Sequence, residues 1–368
     1  MKFFSYIASL QASATGGEMT KDNLLNQILK GSEKTGKVYT FNEAHDETLP
    51  AEMWFQESDE GLILFIVFYS QACRWSRCLG CNLPSRMSLE HVSYKALLSQ
   101  IDHVFQKPDV IQQRETIRKV ILSNNGSILD QETFSSMALM YLLIQLNLSL
   151  PNLSLLSIET RAEYVEPAEL EFMARALAEG DTSTQLEIAI GFEAFDDHIR
   201  NDIFNKGLSM ETFEDFAGKM AAYGYRLKCY FMQKPVPSMT DAEAIADIQN
   251  AIDYLSRIAS QYNIGVNMHL NPTYVATGTI LDEAFRKGEY TPPILEDVAR
   301  AALHAKGKPL SIFLGLFDEG LAVEGGSFIR KGDEELVKAL EQFNRTQDYD
   351  ILDRIPLPDG VCNPVRNV

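Results

Sequence analysis

The 368-residue chain contains no run of eighteen or more apolar residues, which is about the length that a membrane-spanning helix requires. It is also short of basic residues, because 33 Lys and Arg stand against 51 Asp and Glu, giving a formal net charge of −18. Proteins that bind nucleic acid usually present a basic face to the phosphates, so this balance argues against RNA or DNA as the main partner. We therefore expect a globular protein that does not insert into a membrane.

Cysteine is scarce and its count is odd. The five cysteines are Cys73, Cys78, Cys81, Cys229 and Cys362, and the first three fall within nine residues. This is a poor framework for disulfides and favours a metal or redox role in a reducing compartment, so the predicted location is the cytoplasm. The first ten residues only faintly resemble a signal sequence, because their apolar stretch is short and impure.

The chain shows no glycine-rich or proline-rich linker beyond its first sixty residues, which are polar and irregular apart from a helical stretch near Lys21–Lys30. Leu62–Tyr69 is a continuous apolar run, typical of a strand covered on both faces. Six or seven strand–helix units follow and predict a parallel sheet. The predicted fold is α/β, a partial or full (β/α) barrel, with a doubly wound open sheet as the alternative. We predict an N-terminal extension packing on the core (1–60), the barrel (61–320), and a C-terminal helix and tail (321–368).

Three cysteines follow the first buried strand with the spacing Cys-x4-Cys-x2-Cys, at Cys73, Cys78 and Cys81. Thiolates are the usual ligands of iron–sulfur clusters. Three of them on a four-iron cluster leave one iron open, and S-adenosylmethionine (SAM) can chelate that iron through its amino and carboxylate groups. An electron from the cluster then cleaves SAM into a hydrogen-abstracting 5′-deoxyadenosyl radical, chemistry that belongs to the cofactor.

Two other interpretations of the cysteines stay open. A structural zinc site needs four ligands, and His91 is the nearest candidate for the fourth. Alternatively the cysteines are inert, although core cysteines seldom gather in a loop with arginines such as Arg74 and Arg77. The first gap is one residue longer than in the commonest radical SAM motif, and Gly80 stands where that motif often has an aromatic residue.

Polar residues follow the next predicted strands, at the edge where chemistry belongs in either architecture. The turn containing Asn125, Gly126 and Ser127 exposes backbone groups that suit an ammonium, although Ser127 or the nearby Asp130 alternatively only caps the next helix. Glu159 suits ribose hydroxyls or an ammonium.

Arg161 follows Glu159 and can grip a carboxylate bidentately, or form an internal salt bridge. Glu193 ends the fourth strand and is a further candidate for the ribose. Taken alone, Asp196 is explained as the cap of a helix, and the Lys206-Gly207 pair as the end of one. His269 is more often a satisfied polar residue than a catalyst, and we identify no catalytic residue from the sequence.

Taken together and in order, these motifs resemble the radical SAM superfamily, and within it the family of the archaeosine synthase catalytic subunit and its elongator-type relatives. The resemblance spans about residues 60–350 and rests on the cysteine loop, Ser123–Asp130, Ile158–Ala162, Gly191–Ser209, Met232–Pro235, Asn271–Thr273, Arg286–Pro293 and Phe343–Asp348.

The resemblance implies that the three cysteines bind a [4Fe–4S] cluster and that Asn125, Gly126, Glu159, Arg161 and Glu193 line SAM. It implies an enzyme that receives electrons from a reductant protein such as flavodoxin or ferredoxin. It also implies a substrate like a modified 7-deazaguanine base in transfer RNA. A small molecule or a peptide stays open as the substrate, as do the oligomeric state and the role of the last cysteine.

Overall fold

The computed structural model describes residues 21–356, and within them eight strands form one sheet whose order is the order of the chain. The first strand runs antiparallel to the second, and every later pair is parallel. The strands are β1 (Glu52–Ser58), β2 (Gly61–Val67), β3 (Ile117–Ser123), β4 (Leu155–Thr160), β5 (Gln185–Glu193), β6 (Arg226–Gln233), β7 (Val266–Pro272) and β8 (Ser311–Leu314). The N-terminal stretch weighed as a signal sequence and the last cysteine, Cys362, lie outside the described residues.

Helices fill the connections between the parallel strands, and others precede β1 and follow β8. They are α1 (Lys21–Lys34), α2 (Tyr94–Gln106), α3 (Pro108–Gln113), α4 (Ser136–Ser149), α5 (Pro167–Leu177), α6 (Met210–Tyr223), α7 (Asp241–Tyr262), α8 (Ile280–Arg286), α9 (Leu295–Leu303), α10 (Glu334–Thr346) and α11 (Tyr349–Asp353). Serine and threonine side chains start several of them, and Thr240 with Glu243 forms a complete capping box on α7. In the part of the chain that the structure describes, we find no helix with both the length and the apolar character needed to cross a bilayer.

The strand order confirms the predicted α/β fold and selects a partial barrel over a doubly wound sheet. In a doubly wound sheet the strand order reverses at a switch point, whereas here each strand joins the outer edge of the one before it. Repeated right-handed crossovers in one direction place the helices on one face and curl the sheet around the other. The carboxyl ends of β2–β8 therefore meet at one rim, which we call the mouth.

The two sheet edges, β1 and β8, do not pair in the described structure, and α10 lies between them. The Asn344 amide exchanges two hydrogen bonds with Leu314 of β8, at 2.8 and 2.9 Å, and the Gln347 amide does the same with Ile312, at 3.0 and 2.7 Å. On the other side, the Asn344 carbonyl accepts from the Asp59 amide at 3.0 Å. Side-chain amides thus form hydrogen bonds with the backbone groups at the edge of β8, which in a closed barrel would pair with another strand.

The end of the barrel opposite the mouth is filled by a buried ion network. Lys119 of β3 contacts Glu60 at 2.6 Å and Glu187 at 2.8 Å, and Arg226 joins both carboxylates. Although burial alone would raise it, the neighbouring Lys119 holds the pKa of Glu187 at about 2. Burial and then Lys119 lower the pKa of Lys228 to about 8. A wide opening lies at the mouth and continues along the slot beside α10.

Two parts of the sequence prediction were wrong. Residues 1–60 were expected to be irregular apart from one helix, but Glu52–Ser58 forms β1. This strand lacks a long apolar run because it is a half-buried edge strand, held by a hairpin whose turn requires the positive φ of Gly61. In addition, the sequence pattern predicts a helix over Gln131–Gln145, but the helix begins only at Ser136, because the Ser135 side chain caps it there.

Candidate active site

A cavity of about 980 Å³ opens at the mouth. Residues from the carboxyl ends of the parallel strands line it, together with β1 and α10. Seven of the nine residues predicted for cluster and SAM line this one cavity: Cys73, Cys78, Cys81, Asn125, Glu159, Arg161 and Glu193. Gly126 and Ser127 are not part of the lining.

The cysteine loop, residues 68–82, carries Cys73, Cys78 and Cys81 and joins β2 to a short 3₁₀ turn at Leu83–Arg86. Its turn depends on Ser76, which has a left-handed backbone (φ 48°) and donates its hydroxyl hydrogen to the Cys73 carbonyl. The Cys81 amide donates to the Cys78 carbonyl at 3.2 Å, so the last two cysteines share a tight turn. All three thiols are free, and they face the same cavity.

The thiols sit in a buried environment that carries positive charge. Burial raises the pKa of Cys81 to about 12, and the Lys37 ammonium opposes this rise. Burial also raises the pKa of Cys78, against which Lys206 and Arg161 act. Cations placed in this way would stabilise thiolate ligands once metal displaces the thiol protons.

The turn after β3 is packed against the cysteine loop. A Cβ added to Gly126 would lie 3.2 Å from the Cys73 Cα, so glycine allows this close approach. Asn125 is left-handed (φ 53°) and its amide donates to Ser123 Oγ at 3.1 Å, which presents this residue to the cavity. Ser127 is buried, and its hydroxyl makes no hydrogen bond.

The prediction that Ser127 or Asp130 caps the next helix was wrong. The Asp130 carboxylate instead accepts a hydrogen bond from Arg74 of the cysteine loop at 2.8 Å, and burial raises the pKa of Asp130 to about 6. Arg74 also lies over the ring of Tyr164 at 4.9 Å. This contact ties the cysteine loop to the turn after β3.

Glu159 projects from the end of β4 into the cavity. Its carboxylate accepts a hydrogen bond from the Tyr230 hydroxyl of β6. Burial raises the pKa of Glu159, whereas the Ser123 and Tyr230 hydroxyls lower it. A carboxylate with hydroxyl partners on one side and open space on the other is suited to bind a donor from a ligand.

Arg161 is buried two residues further on and is fixed by three neighbours. Its guanidinium donates to the Glu163 carboxylate and, at 3.0 Å, to the Lys206 carbonyl, and it lies 4.3 Å from the Trp75 ring centroid. The expected alternative of an internal salt bridge is therefore present, while Arg161 still lines the cavity.

Glu193 and Lys206 form an ion pair at the end of β5. Lys206 Nζ lies 2.6 Å from Glu193 Oε1, and the two side chains are 11% and 14% exposed. A bulge after Gly191 and a φ of 75° at Glu193 turn this carboxylate toward the mouth. A Cβ at Gly191 would lie 2.2 Å from Glu193 Oε1 and 2.3 Å from Lys206 Nζ, so a larger residue there would displace the ion pair.

Several cavity residues were missed or undervalued by sequence reasoning. Lys206 looked like a helix end, Tyr230 like an ordinary strand residue, and Lys37 belongs to the segment expected to be irregular. His269 is 7% exposed; Asn271 is a hydrogen-bond partner of its ring, while its Nδ1 has none, so the expectation of a satisfied polar residue holds for one side of the ring. The one signal that could have identified Tyr230 and His269 as cavity residues is their inward-facing position on neighbouring parallel strands. Their rings lie 4.7 Å apart.

The donor set fits a cluster held by three cysteines. Within residues 21–356, no three His, Cys, Asp or Glu side chains surround a common point as ligands of one ion. Three ligands of a four-iron cluster bind different iron atoms, so their sulfurs need not converge in that way. His91, considered as a fourth zinc ligand, is exposed and is not among the residues lining the cavity. Cys229 is fully buried in β6, as expected for a core residue.

No family model matches the chain. Among curated proteins, archaeosine synthase subunit beta of Methanosarcina acetivorans is 28% identical over 289 residues, covering 77% of this chain and 79% of that protein. The protein of the same name from Thermococcus kodakarensis is 22% identical and covers 80% of this chain and 88% of its own length. An uncharacterized protein of Methanocaldococcus jannaschii is 23% identical over 83% of this chain and 84% of its own length.

Two solved structures align with about 70% of the chain at low similarity. A queuine lyase from Clostridium spiroforme, bound to SAM and queuine, has a TM-score of 0.46 at 14% identity over 74% of this chain and 98% of its own. Elp3 of Methanocaldococcus infernus has a TM-score of 0.45 at 16% identity over 68% of this chain and 58% of its own. Scores of this size carry no information about ligands.

The chain is homologous along most of its length to the curated proteins above, and two of these are named archaeosine synthase subunit beta. A cysteine loop at the mouth of a partial barrel agrees with the resemblance to radical SAM enzymes that the sequence motifs indicate.

Proposed function

We propose that Cys73, Cys78 and Cys81 hold a [4Fe–4S] cluster and that the cavity beside them binds SAM. The observation that carries this proposal is that three free cysteines from one loop line a single large cavity with lysine and arginine around them. When bound, such a cluster supplies the electron that cleaves SAM to methionine and a 5′-deoxyadenosyl radical.

The chain's own residues bind and orient the ligands. Asn125 presents the turn that Gly126 and Ser127 build against Cys73, and backbone carbonyls of such a turn suit the methionyl ammonium of SAM. Glu159, already held by Tyr230, is placed to accept hydrogen bonds from ribose hydroxyls or an ammonium.

Glu193 is a second acceptor for the ribose hydroxyls. Arg161 stabilises the part of the cavity between Glu193 and the cysteine loop through its hydrogen bond to the Lys206 carbonyl. The buried ion network below and α10 at the side limit water entry to the cavity, which protects a reactive intermediate.

We propose a modified 7-deazaguanine nucleoside or transfer-RNA base as the substrate. This rests on the two archaeosine synthase beta subunits, at 28% and 22% identity. Because these relatives are named as subunits, we also expect a second subunit, and a reductant such as flavodoxin or ferredoxin in the cytoplasm. The net charge of −18 favours the alternative, in which the substrate is a small molecule or a peptide.

Anaerobic reconstitution with iron and sulfide tests the cofactor. The wild type should take up four irons per chain and, after reduction with SAM, release 5′-deoxyadenosine. Cys78→Ser should lose both properties. Cys229→Ala is the matched control, because this cysteine is buried in the core away from the cavity, so that variant should keep both.

Substrates are then compared in the same assay. Faster SAM cleavage with 7-deazaguanine-modified transfer RNA than with the free nucleoside, unmodified RNA or peptides supports the RNA proposal. Stimulation by the free nucleoside alone supports the nucleoside as the substrate, whereas stimulation by a peptide alone favours the alternative. A wild-type protein that holds no cluster and cleaves no SAM refutes the function itself.

A further inference from the structure

The gap between the sheet edges β1 and β8 carries two matched pairs of side chains. On β1, Glu52 and Trp54 are two residues apart and therefore point to the same face of the strand. In the loop after β8, Phe317 and Glu319 are also two residues apart. All four line the same cavity as the three cysteines. A ligand in this cavity thus meets an aromatic ring and a carboxylate from each sheet edge.

The aromatic rings of the two pairs meet across the gap. Trp54 stands opposite Phe65 in the hairpin ladder and stacks on it, with ring centroids 4.2 Å apart and an interplanar angle of 11°. Phe317 approaches Trp54 from the loop after β8, at 5.8 Å and 55°. Phe317 is 58% exposed, so much of its ring is free to contact a ligand. The rings form an apolar platform that suits a planar ligand.

Arg86 joins the two carboxylate residues. Its Nη2 donates to the Glu319 carbonyl at 3.0 Å and lies 3.9 Å from Glu52 Oε1. The Tyr274 hydroxyl donates to Glu319 Oε2 at 2.9 Å. Within residues 21–356, Glu319 Oε1 accepts no hydrogen bond, and it is not among the fully buried atoms that lack one. This oxygen is therefore an acceptor that a ligand can reach.

Neighbouring residues hold Glu319 in an unfavourable backbone conformation. Its φ of 57° lies in the left-handed region, which residues other than glycine seldom adopt. The hydrogen bonds from Arg86 and Tyr274 fix its carbonyl and its carboxylate. Burial raises the pKa of Glu319 to about 7, so its ionised form is poorly solvated and gains from a hydrogen-bond donor. Strain that neighbours maintain in this way is typical of residues that contact ligands.

A buried histidine near this loop has an unused nitrogen. His269 lines the cavity and is 7% exposed, and its Nδ1 has no partner in the described part of the chain. Its ring lies 4.8 Å from that of Phe313 on β8, and a Cβ at Gly315 would lie 3.0 Å from its Nε2. The β8 side of the cavity therefore holds an unpaired polar atom in addition to the Glu319 carboxylate.

We propose that Phe317 and Glu319 recognise the heterocycle of the substrate. The Phe317 ring stacks on its face, and the Glu319 carboxylate accepts hydrogen bonds from a ring N–H and from the adjacent exocyclic amino group. This inference rests on the proposed function and names the residues that select among heterocycles.

The chemistry of the carboxylate supports this assignment. Two neighbouring N–H donors match its two oxygens, since Oε2 keeps a second lone pair beside the Tyr274 hydroxyl. A heterocycle without the amino group offers only one of these donors. An anionic group is disfavoured at this place, because Glu52 and Glu319 line the same cavity and share Arg86 as a cation.

Calorimetric titration of the full chain tests the hydrogen bonds. The protein is reconstituted with iron and sulfide and saturated with SAM in the absence of reductant. The probes are 7-deazaguanosine, which carries the amino group, and 7-deazainosine, which lacks it. The wild type should bind 7-deazaguanosine at least about tenfold more tightly. This comparison does not depend on the folding of any variant.

Glu319→Gln should bring the two dissociation constants to within about twofold of each other, because an amide cannot accept both donors. Asp318→Asn is the matched control, since it removes the same charge from the adjacent residue, which does not line the cavity. This variant should keep the preference of the wild type.

Phe317→Leu tests the stacking contact. It should weaken both nucleosides by about tenfold and leave their ratio unchanged, because stacking does not depend on the amino group. Phe172→Leu is the control on α5, where the ring is 43% exposed and does not line the cavity, and it should bind as the wild type does.

Iron content and SAM cleavage are measured on the same preparations. If the wild type holds a cluster and cleaves SAM, the inference is overturned by weak binding of both nucleosides, by equal binding of the two, or by a preference that survives in Glu319→Gln. A wild type that takes up no cluster and cleaves no SAM overturns the proposed function instead.

Discussion

Replacing Lys206 by methionine leaves the Glu193 carboxylate without its cation inside the cavity. The two side chains are 11% and 14% exposed and their charged atoms lie 2.6 Å apart, so water replaces the ammonium only in part. Removing one partner of a buried ion pair costs roughly 3–5 kcal/mol, and the open side of the cavity should place this case near the lower end. We expect Lys206→Met to lower the free energy of unfolding of the metal-free protein by about 3 kcal/mol.

Urea-induced unfolding at pH 7 measures this loss, and a double-mutant cycle isolates the pair. Glu193→Gln combined with Lys206→Met removes the stranded charge, so the double variant should be more stable than Lys206→Met alone. The coupling free energy should be about 2 kcal/mol, which is within the range for residues in direct contact. A coupling below about 0.5 kcal/mol would refute the argument that the pair is buried and mutually stabilising.

Lys306→Met supplies the matched control. Lys306 pairs with Asp350 at 2.9 Å and Asp353 at 2.6 Å, but its side chain is 48% exposed and those of the two carboxylates are 62% and 48% exposed. Exposed pairs contribute about 0–1 kcal/mol, so this variant should unfold at nearly the wild-type urea concentration.

Three further outcomes follow from packing and burial. Gly191→Ala should lower the free energy of unfolding by about 1–3 kcal/mol, because the added methyl group overpacks against the Glu193–Lys206 ion pair. Gly218→Ala is the control on a helix with no atom near the added Cβ, and it should raise the free energy of unfolding by up to about 1 kcal/mol. Equal urea midpoints for the two variants would contradict the overpacking at Gly191. Burial raises the pKa of Glu319 to about 7, so the folded protein holds a proton there that the unfolded chain has released, and stability should fall as pH rises from about 4.5 to 7. Glu319→Gln should flatten that part of the wild-type pH profile by about 1–2 kcal/mol, and an unchanged slope would show that Glu319 titrates normally. Asn344→Ala should cost about 2 kcal/mol in urea unfolding because it leaves the N–H and C=O of Leu314 unpaired, a loss that a solvated strand edge would not show.

Much of the site was predictable because parallel strands end at one rim. Cys73, Asn125, Glu159 and Glu193 each lie at or after the carboxyl end of a strand, and the expectation of parallel strands was enough to predict their side chains in one cavity. What this rule does not provide is the direction of each side chain. Gly126 follows the same strand as Asn125, yet it faces the cysteine loop and not the cavity.

The rest depends on contacts between distant parts of the chain. Lys37 reaches the cysteine loop only because its segment is held against loops some forty and more than two hundred residues away, and no local pattern indicates this. Lys206 lies thirteen residues after Glu193, and a bulge turns the glutamate toward it. The predicted domain boundaries stay a prediction.

The helix between β1 and β8 has a consequence for what the cavity can admit. Glu341 and Arg345 on α10 line the slot, and the side-chain amides of Asn344 and Gln347 join this end of the chain to β8 in place of a backbone ladder. Substitutions at Glu341 or Arg345 should therefore change the width of the slot without removing any hydrogen bond between strands of the sheet that carries the cysteine loop.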